Sequence, residues 1–184
     1  IWNINTPTSF AQKLPFFLNE CGRFWAQDNY YTIREGKSDY LFVYTLSGVG
    51  GLVYAGKTQT LTPHKAVIVD CRQRSHFFSK SDVWDYYWMH FNGNAAADIV
   101  SILSAKLPDA IDVLHSERIA SAMEELFQYG KNYDAESNLL VSESIATILY
   151  ELVRSTYGLS ITQREGQSTD IDNTLHHTPK HFPE

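Results

Sequence analysis

Residues 84–91 read WDYYWMHF, and this stretch limits the fold more tightly than any other. Side chains alternate along a strand, so Trp84, Tyr86, Trp88 and His90 share one face while Asp85, Tyr87, Met89 and Phe91 share the other. Both faces are aromatic. A half-exposed strand sets an apolar face against a small polar one, so this strand calls for a layer on each side. One layer is an ordinary core, and the second face is free to line something else.

The surrounding chain says what kind of layers these are. From Phe16 to Phe91, short β-rich runs alternate with turn signals: FFL, GRFW, YYTIR, YLFVYTL, GGLVYAG, TQTLT, AVIVD and HFF. That spacing suggests a sandwich or small barrel. Gly48, Gly50 and Gly51 mark a reversal after a strand from Tyr40 to Leu46, and AGK at 55–57 marks the next. A phosphate-cradling loop would need a helix after its glycines, and here a strand follows.

After FNGN the period changes. Asn94 is positioned to cap a short helix carrying Ile99, Val100, Ile102 and Leu103, and Ser116 a second with Ile119, Met123, Leu126 and Phe127 along one side. Asp134 caps a third, whose stripe of Val141, Ile145, Ile148, Leu149 and Leu152 is expected to stop at Gly158. The last two helices form an antiparallel hairpin whose stripe packs on the β-domain, on a second copy of the chain, or on both. Val141, Ile145, Ile148 and Leu152 are thus the candidate dimerisation residues. Residues 159–170 are polar and unpatterned and read as a linker, and 171–184 return to weak helical spacing through Ile171, Leu175 and Phe182. The fold class expected is α+β and mainly β.

Length and charge narrow the function. A chain of 184 residues buries a core without staples, and Cys21 and Cys71 are too few for a disulfide scaffold, so they read as free thiols of a cytoplasmic protein. No run approaches the roughly 20 apolar residues of a membrane span, and IWNINTPTSF lacks the order of a signal peptide. The net charge of −6 argues against nucleic-acid binding by the bulk of the chain.

The order of β-domain, helical hairpin, linker and incipient helix resembles the AraC-type transcription regulators. The residues that carry the resemblance are Arg34 before a strand ending in a glycine turn (REGKSDYLFVYTLSG), then TPHKAVIVD, RSHFF and WDYYWMHFNG. The resemblance implies a cupin-like effector-binding barrel with an N-terminal arm over 1–113, a dimerisation hairpin over 114–158, a linker over 159–170 and the start of a DNA-binding domain over 171–184, with DNA contacted only through the missing remainder. It further implies a small-molecule effector, most plausibly a sugar, held by Arg34, Phe77, Tyr86 and Trp88, with Phe10, Pro15 and Phe16 as lid candidates, and a homodimer. The physical logic stands beside it: sugar C–H faces stack on Trp or Tyr, and hydroxyls need fixed donors and acceptors. Two departures from the family pattern are His64, where Gly is frequent, and Pro179 inside the tail helix.

Enzymatic readings find less support. His76 and His90 suggest a metal, but the early strand region IREGKSDYLF carries no histidine, so the ligand set of a metal-dependent cupin is incomplete. No motif suggests a catalytic triad, and Glu124, Glu125, Glu143 and Glu151 lie on helices, where carboxylates face water. His176, His177 and His181 read as a solvated tail. The expectation is a non-enzyme with no cofactor and no metal; the alternatives are a metal-dependent cupin enzyme and a structural dimerisation module with a filled barrel.

Overall fold

A computed structural model describes residues 1–104 and 109–172. Among them the strands are β1 Trp2–Ile4, β2 Phe17–Gln27, β3 Tyr31–Arg34, β4 Tyr40–Ser47, β5 Gly50–Tyr54, β6 Lys57–Leu61, β7 Lys65–Asp70, β8 Ser75–Ser79, β9 Val83–Asn92 and β10 Ile111–Asp112. The helices are α1 Ala96–Ser104, α2 Ser116–Tyr129 and α3 Ala135–Asp172. The strands form two antiparallel sheets, one ordered β1-β2-β9-β4-β7-β10 and the other β3-β8-β5-β6, which face each other as the two walls of a barrel. The mainly β fold with a helical hairpin is as expected. Among the described residues no helix is long and apolar enough to cross a membrane.

Strand β9 lies at the centre of the larger sheet, between β2 and β4, and its alternation divides two cores. Trp84 and Tyr86 face into the barrel with Leu41, Val43, Leu52, Leu61, Val67 and Phe77. Tyr87, Met89 and Phe91 face the other way and pack with Leu18, Phe42 and Ile68 against the helices. Asp85 is tolerated on that second face because Arg23 takes it bidentately, at 2.9 and 2.7 Å.

The runs FFL and GRFW belong to one strand, because a bulge between Leu18 and Glu20 lets β2 continue past the polar residues between them. Strands β1 and β10 were outside the expected set. Trp84 is fully buried over Gly50, where an added Cβ would stand 2.2 Å from the indole ring, so only glycine fits there. His64 takes φ +66°, the left-handed turn that favours glycine, so the turn is kept without it. Its ring nitrogen lies 3.1 Å from the Tyr44 hydroxyl and 3.0 Å from that of Ser116, joining the barrel to the start of α2. Ser116 is thus engaged elsewhere, and His115 holds the N-cap position of α2.

Asp134 caps α3 as expected, accepting the Ser137 N–H at 2.8 Å. Three expectations for the hairpin are corrected. Val141, Ile145, Ile148 and Leu152 are buried within the chain, against α2 and the outer face of the larger sheet, so they are not available to a second copy. Gly158 does not end α3, which continues to Asp172 through residues 159–170; one glycine inside a helix costs only about 1 kcal/mol. Glu151 is fully buried with Arg118 at 2.8 Å instead of facing water. The tail from 173 to 184, with Pro179 and its histidines, lies outside the described residues.

Candidate ligand-binding pocket

Between the two sheets lies a cavity of about 170 Å³. It is close in size to the ~150 Å³ cavities that admit a six-membered ring. The barrel is therefore not filled. Arg34 from β3, Phe77 from β8, and Tyr86 and Trp88 from β9 all line this cavity. Alternation explains their convergence: Thr32 and Arg34 point inward from β3 while Tyr31 and Ile33 are exposed, and Phe77 points inward from β8 between outward His76 and Phe78.

Seven more residues complete the wall: Trp2, Phe24, Tyr30, Thr32, Leu41, Val43 and His90. Register could have found three of them. Phe24 pairs with Tyr86, Leu41 with His90 and Val43 with Trp88, and directly paired residues share a face. Trp2 gives no such signal, since β1 is three residues long. Its ring meets Trp88 edge to face at 6.1 Å, and so it covers the cavity from the sheet edge. Opposite Trp88, Gly22 leaves the room the indole needs; a Cβ there would lie 2.8 Å from the ring and 2.6 Å from the Ile1 carbonyl. None of the lid candidates lines the cavity. Phe16 is buried among the helices with its N–H donated to Ser142, Ala95 donates to the Pro15 carbonyl, and Phe10 is exposed. An aromatic residue near the N-terminus does cover the site, but it is Trp2.

Behind the aromatic walls runs a polar chain. Arg34 Nη1 is 3.2 Å from His90 Nε2, and His90 Nδ1 is 3.1 Å from Asp39 Oδ1. A guanidinium only donates, so Nε2 accepts and the imidazole proton sits on Nδ1, directed at Asp39. The second Asp39 oxygen receives Lys37 at 3.2 Å and the Asn19 amide at 3.2 Å. Lys37 also pairs with Glu20, and Glu20 accepts the Trp2 indole N–H at 3.3 Å. The chain thus begins and ends on residues that line the cavity. Burial pushes the Asp39 carboxyl up, but the His90 hydrogen bond, with the charge and hydrogen bond of Lys37, outweighs it and holds the group at about 2. Burial, together with the bond to Tyr30, pushes the Tyr86 hydroxyl far above its ordinary value, so it stays protonated and donates to Tyr30 at 3.4 Å.

Asp39, Cys71 and His90 also bring three potential metal-ligand atoms within 4.8 Å of one another. They do not fit a metal ion. Both Asp39 oxygens already have partners, Arg34 and Lys37 place positive charge on either side, and burial drives the Cys71 thiol away from the thiolate that a metal requires. His76, the other histidine singled out, lies on the outer face of the smaller sheet beside Tyr31 and Phe78, on the opposite side of the wall from the cavity. The cluster is a hydrogen-bonded support for Arg34.

A family model described as the AraC-like ligand binding domain matches residues 17–153. The chain belongs to that family. No curated protein sequence matches it. Among solved structures, the AraC-like domain is similar to the Cupin_2 domain of an XRE family transcriptional regulator from Enterobacter cloacae, at 13% identity and a TM-score of 0.40 over 49% of this chain and 93% of that one. An HTH_3 family transcriptional regulator from Vibrio cholerae aligns at 10% identity and a TM-score of 0.38, over 48% of this chain and 49% of that one. A predicted oxalate decarboxylase from Thermotoga maritima aligns at 11% identity and a TM-score of 0.38, over 40% and 65%.

Proposed function

We propose that this AraC-like domain senses a small ring-bearing effector inside its barrel and passes the signal to a DNA-binding domain outside this sequence, as a cytoplasmic, non-enzymatic homodimer. The observation that carries this reading is the cavity, where Arg34, Phe77, Tyr86 and Trp88 meet around a space the size of one ring. Trp88 and Tyr86 offer faces on which a sugar ring stacks, and Arg34 offers a fork of donors. A ligand shifts such a regulator only by favouring one of two arrangements, and Trp2 on the short edge strand β1 is the element best placed to differ between them. With the stripe of α3 buried, Leu139 and Tyr150 are exposed apolar residues of that helix among the described residues and are open to a second copy.

The test is thermal denaturation against a panel of monosaccharides and their acids. A ligand at 100 times its dissociation constant adds about 2.7 kcal/mol of stability. Trp88→Ala is expected to weaken binding by about tenfold or more, since it removes the stacking face, while the unliganded melting temperature moves little because Trp88 is only partly buried. Equal affinity in the variant would remove Trp88 from the site, and silence from the whole panel would count against a sensor of this ligand class.

A further inference from the structure

Donors outnumber acceptors around the cavity, and that imbalance bears on what the ligand is. No Asp, Glu, Asn or Gln is among the lining residues. Arg34 gives one N–H to His90 and keeps the others of its fork. Tyr30 accepts from Tyr86 and has its own proton to give. The Trp88 indole is a donor only, and no hydrogen bond from it is formed among the described residues. Both nitrogens of His90 are engaged, one accepting from Arg34 and the other facing Asp39. The free acceptors are the hydroxyl oxygens of Thr32, Tyr30 and Tyr86, against the remaining Arg34 N–H groups, the Trp88 indole and the Tyr30 and Thr32 protons as donors. Every hydroxyl of a neutral sugar brings a proton that needs an acceptor once water is excluded, whereas a carboxylate only accepts.

Charge agrees with this inventory. Arg23, Arg72, Arg74 and Arg118 each face a carboxylate, namely Asp85, Asp70, Glu35 and Glu151. Arg34 faces none among the described residues; its partner is an imidazole, and the carboxylate on the far side of that imidazole, Asp39, is already committed to His90 and Lys37. A partly buried guanidinium with open donors, set in a mostly aromatic and aliphatic wall, matches a carboxylate bidentately. We propose that the pocket takes a ring-sized organic acid, its carboxylate held by Arg34 and its ring stacked on Trp88 and Tyr86. This rests on the cavity being the effector site, and it narrows that site from small rings in general to anionic ones.

The experiment is calorimetric titration of the chain at neutral pH with two matched pairs, benzoate against benzamide and glucuronate against glucose. The pairs separate an aromatic acid from a sugar acid as the source of the carboxylate. In at least one pair the acid is expected to bind about tenfold or more tightly than its neutral partner. Arg34→Gln should abolish that preference and Arg34→Lys should keep part of it, with circular dichroism confirming that both variants are folded. Binding with no preference for the acid in either pair, glucose or benzamide binding as tightly as its acid, would overturn the acid assignment and leave the effector site standing. Acid binding undiminished in Arg34→Gln would overturn the role of Arg34. Absence of binding by all four compounds up to millimolar concentration would overturn the acid assignment and the effector reading together.

Discussion

Asp39→Ala lowers the stability of the fold by roughly 3–5 kcal/mol, as expected for removal of one partner from a buried charged network. The carboxylate is buried, with 4% of its surface exposed, and it accepts from His90 and Asn19 and pairs with Lys37. Its removal leaves the His90 N–H with only the weakly accepting Cys71 sulfur, at 3.7 Å, inside the barrel wall, where His90 is wholly buried. The contribution of Lys37 is discounted because its side chain is 43% exposed and screened by water. Urea denaturation of the two proteins measures the difference. Acid pH provides a second reading of the same group. The folded carboxyl is held at about 2, below its unfolded value, so its stabilisation is complete above the unfolded value and is lost as pH falls through the folded one. Between about pH 4 and pH 2 the wild type should therefore lose about 2 kcal/mol that Asp39→Ala does not lose. A gap between them that stays constant across that range would show that Asp39 acts through packing and not through its charge.

The second large effect is expected at Trp84. Trp84→Ala should cost about 3–5 kcal/mol, because the side chain is fully buried and the barrel closes around it. The ring stacks on Tyr86 at a centroid distance of 4.0 Å, presses on Gly50, and donates its indole N–H to Thr45 at 3.1 Å. Trp84→Phe should recover most of the loss while leaving the Thr45 hydroxyl without its indole donor, its own proton still given to the Leu61 carbonyl at 3.4 Å. Denaturation midpoints for the three proteins decide this. Trp84 and Trp88 sit four residues apart on one face of one strand, yet the first anchors the barrel and the second lines the cavity. A reversal of their effects, with Trp88→Ala unfolding the protein and Trp84→Ala tolerated, would mean that the cavity lies elsewhere.

The contrast between the two tryptophans shows what was legible in the sequence. Strict alternation in β9 assigned every side chain of WDYYWMHF to its face, and the four expected lining residues converge because β8 and β9 carry buried residues that fix their pleat while β3, which holds Arg34, is fixed in register by pairing with β8. The polar chain behind Arg34 was not legible. Asp39 and Lys37 sit in REGKSDYLF, and nothing local connects Asp39 to His90, 51 residues away. Periodicity also showed that one side of α3 is buried without showing by what. Val141, Ile145, Ile148 and Leu152 would look the same in a dimer seam and in a chain's own core, and here the outer aromatic face of β9 is what they meet. Trp2 escaped because a three-residue edge strand is too short to show a period.

Because β9 gives one face to the barrel interior and the other to the helices, it is a wall shared by two cores. Tyr87, Met89 and Phe91 meet Ile119, Met123, Leu126, Ile145 and Ile148 in a single cluster, so stripping away the hairpin would expose the full outer side of the larger sheet to water. Unfolding is then cooperative across the expected boundary near residue 113, and a calorimetric scan should show one transition through it instead of two. Barrel and hairpin have no melting temperatures of their own.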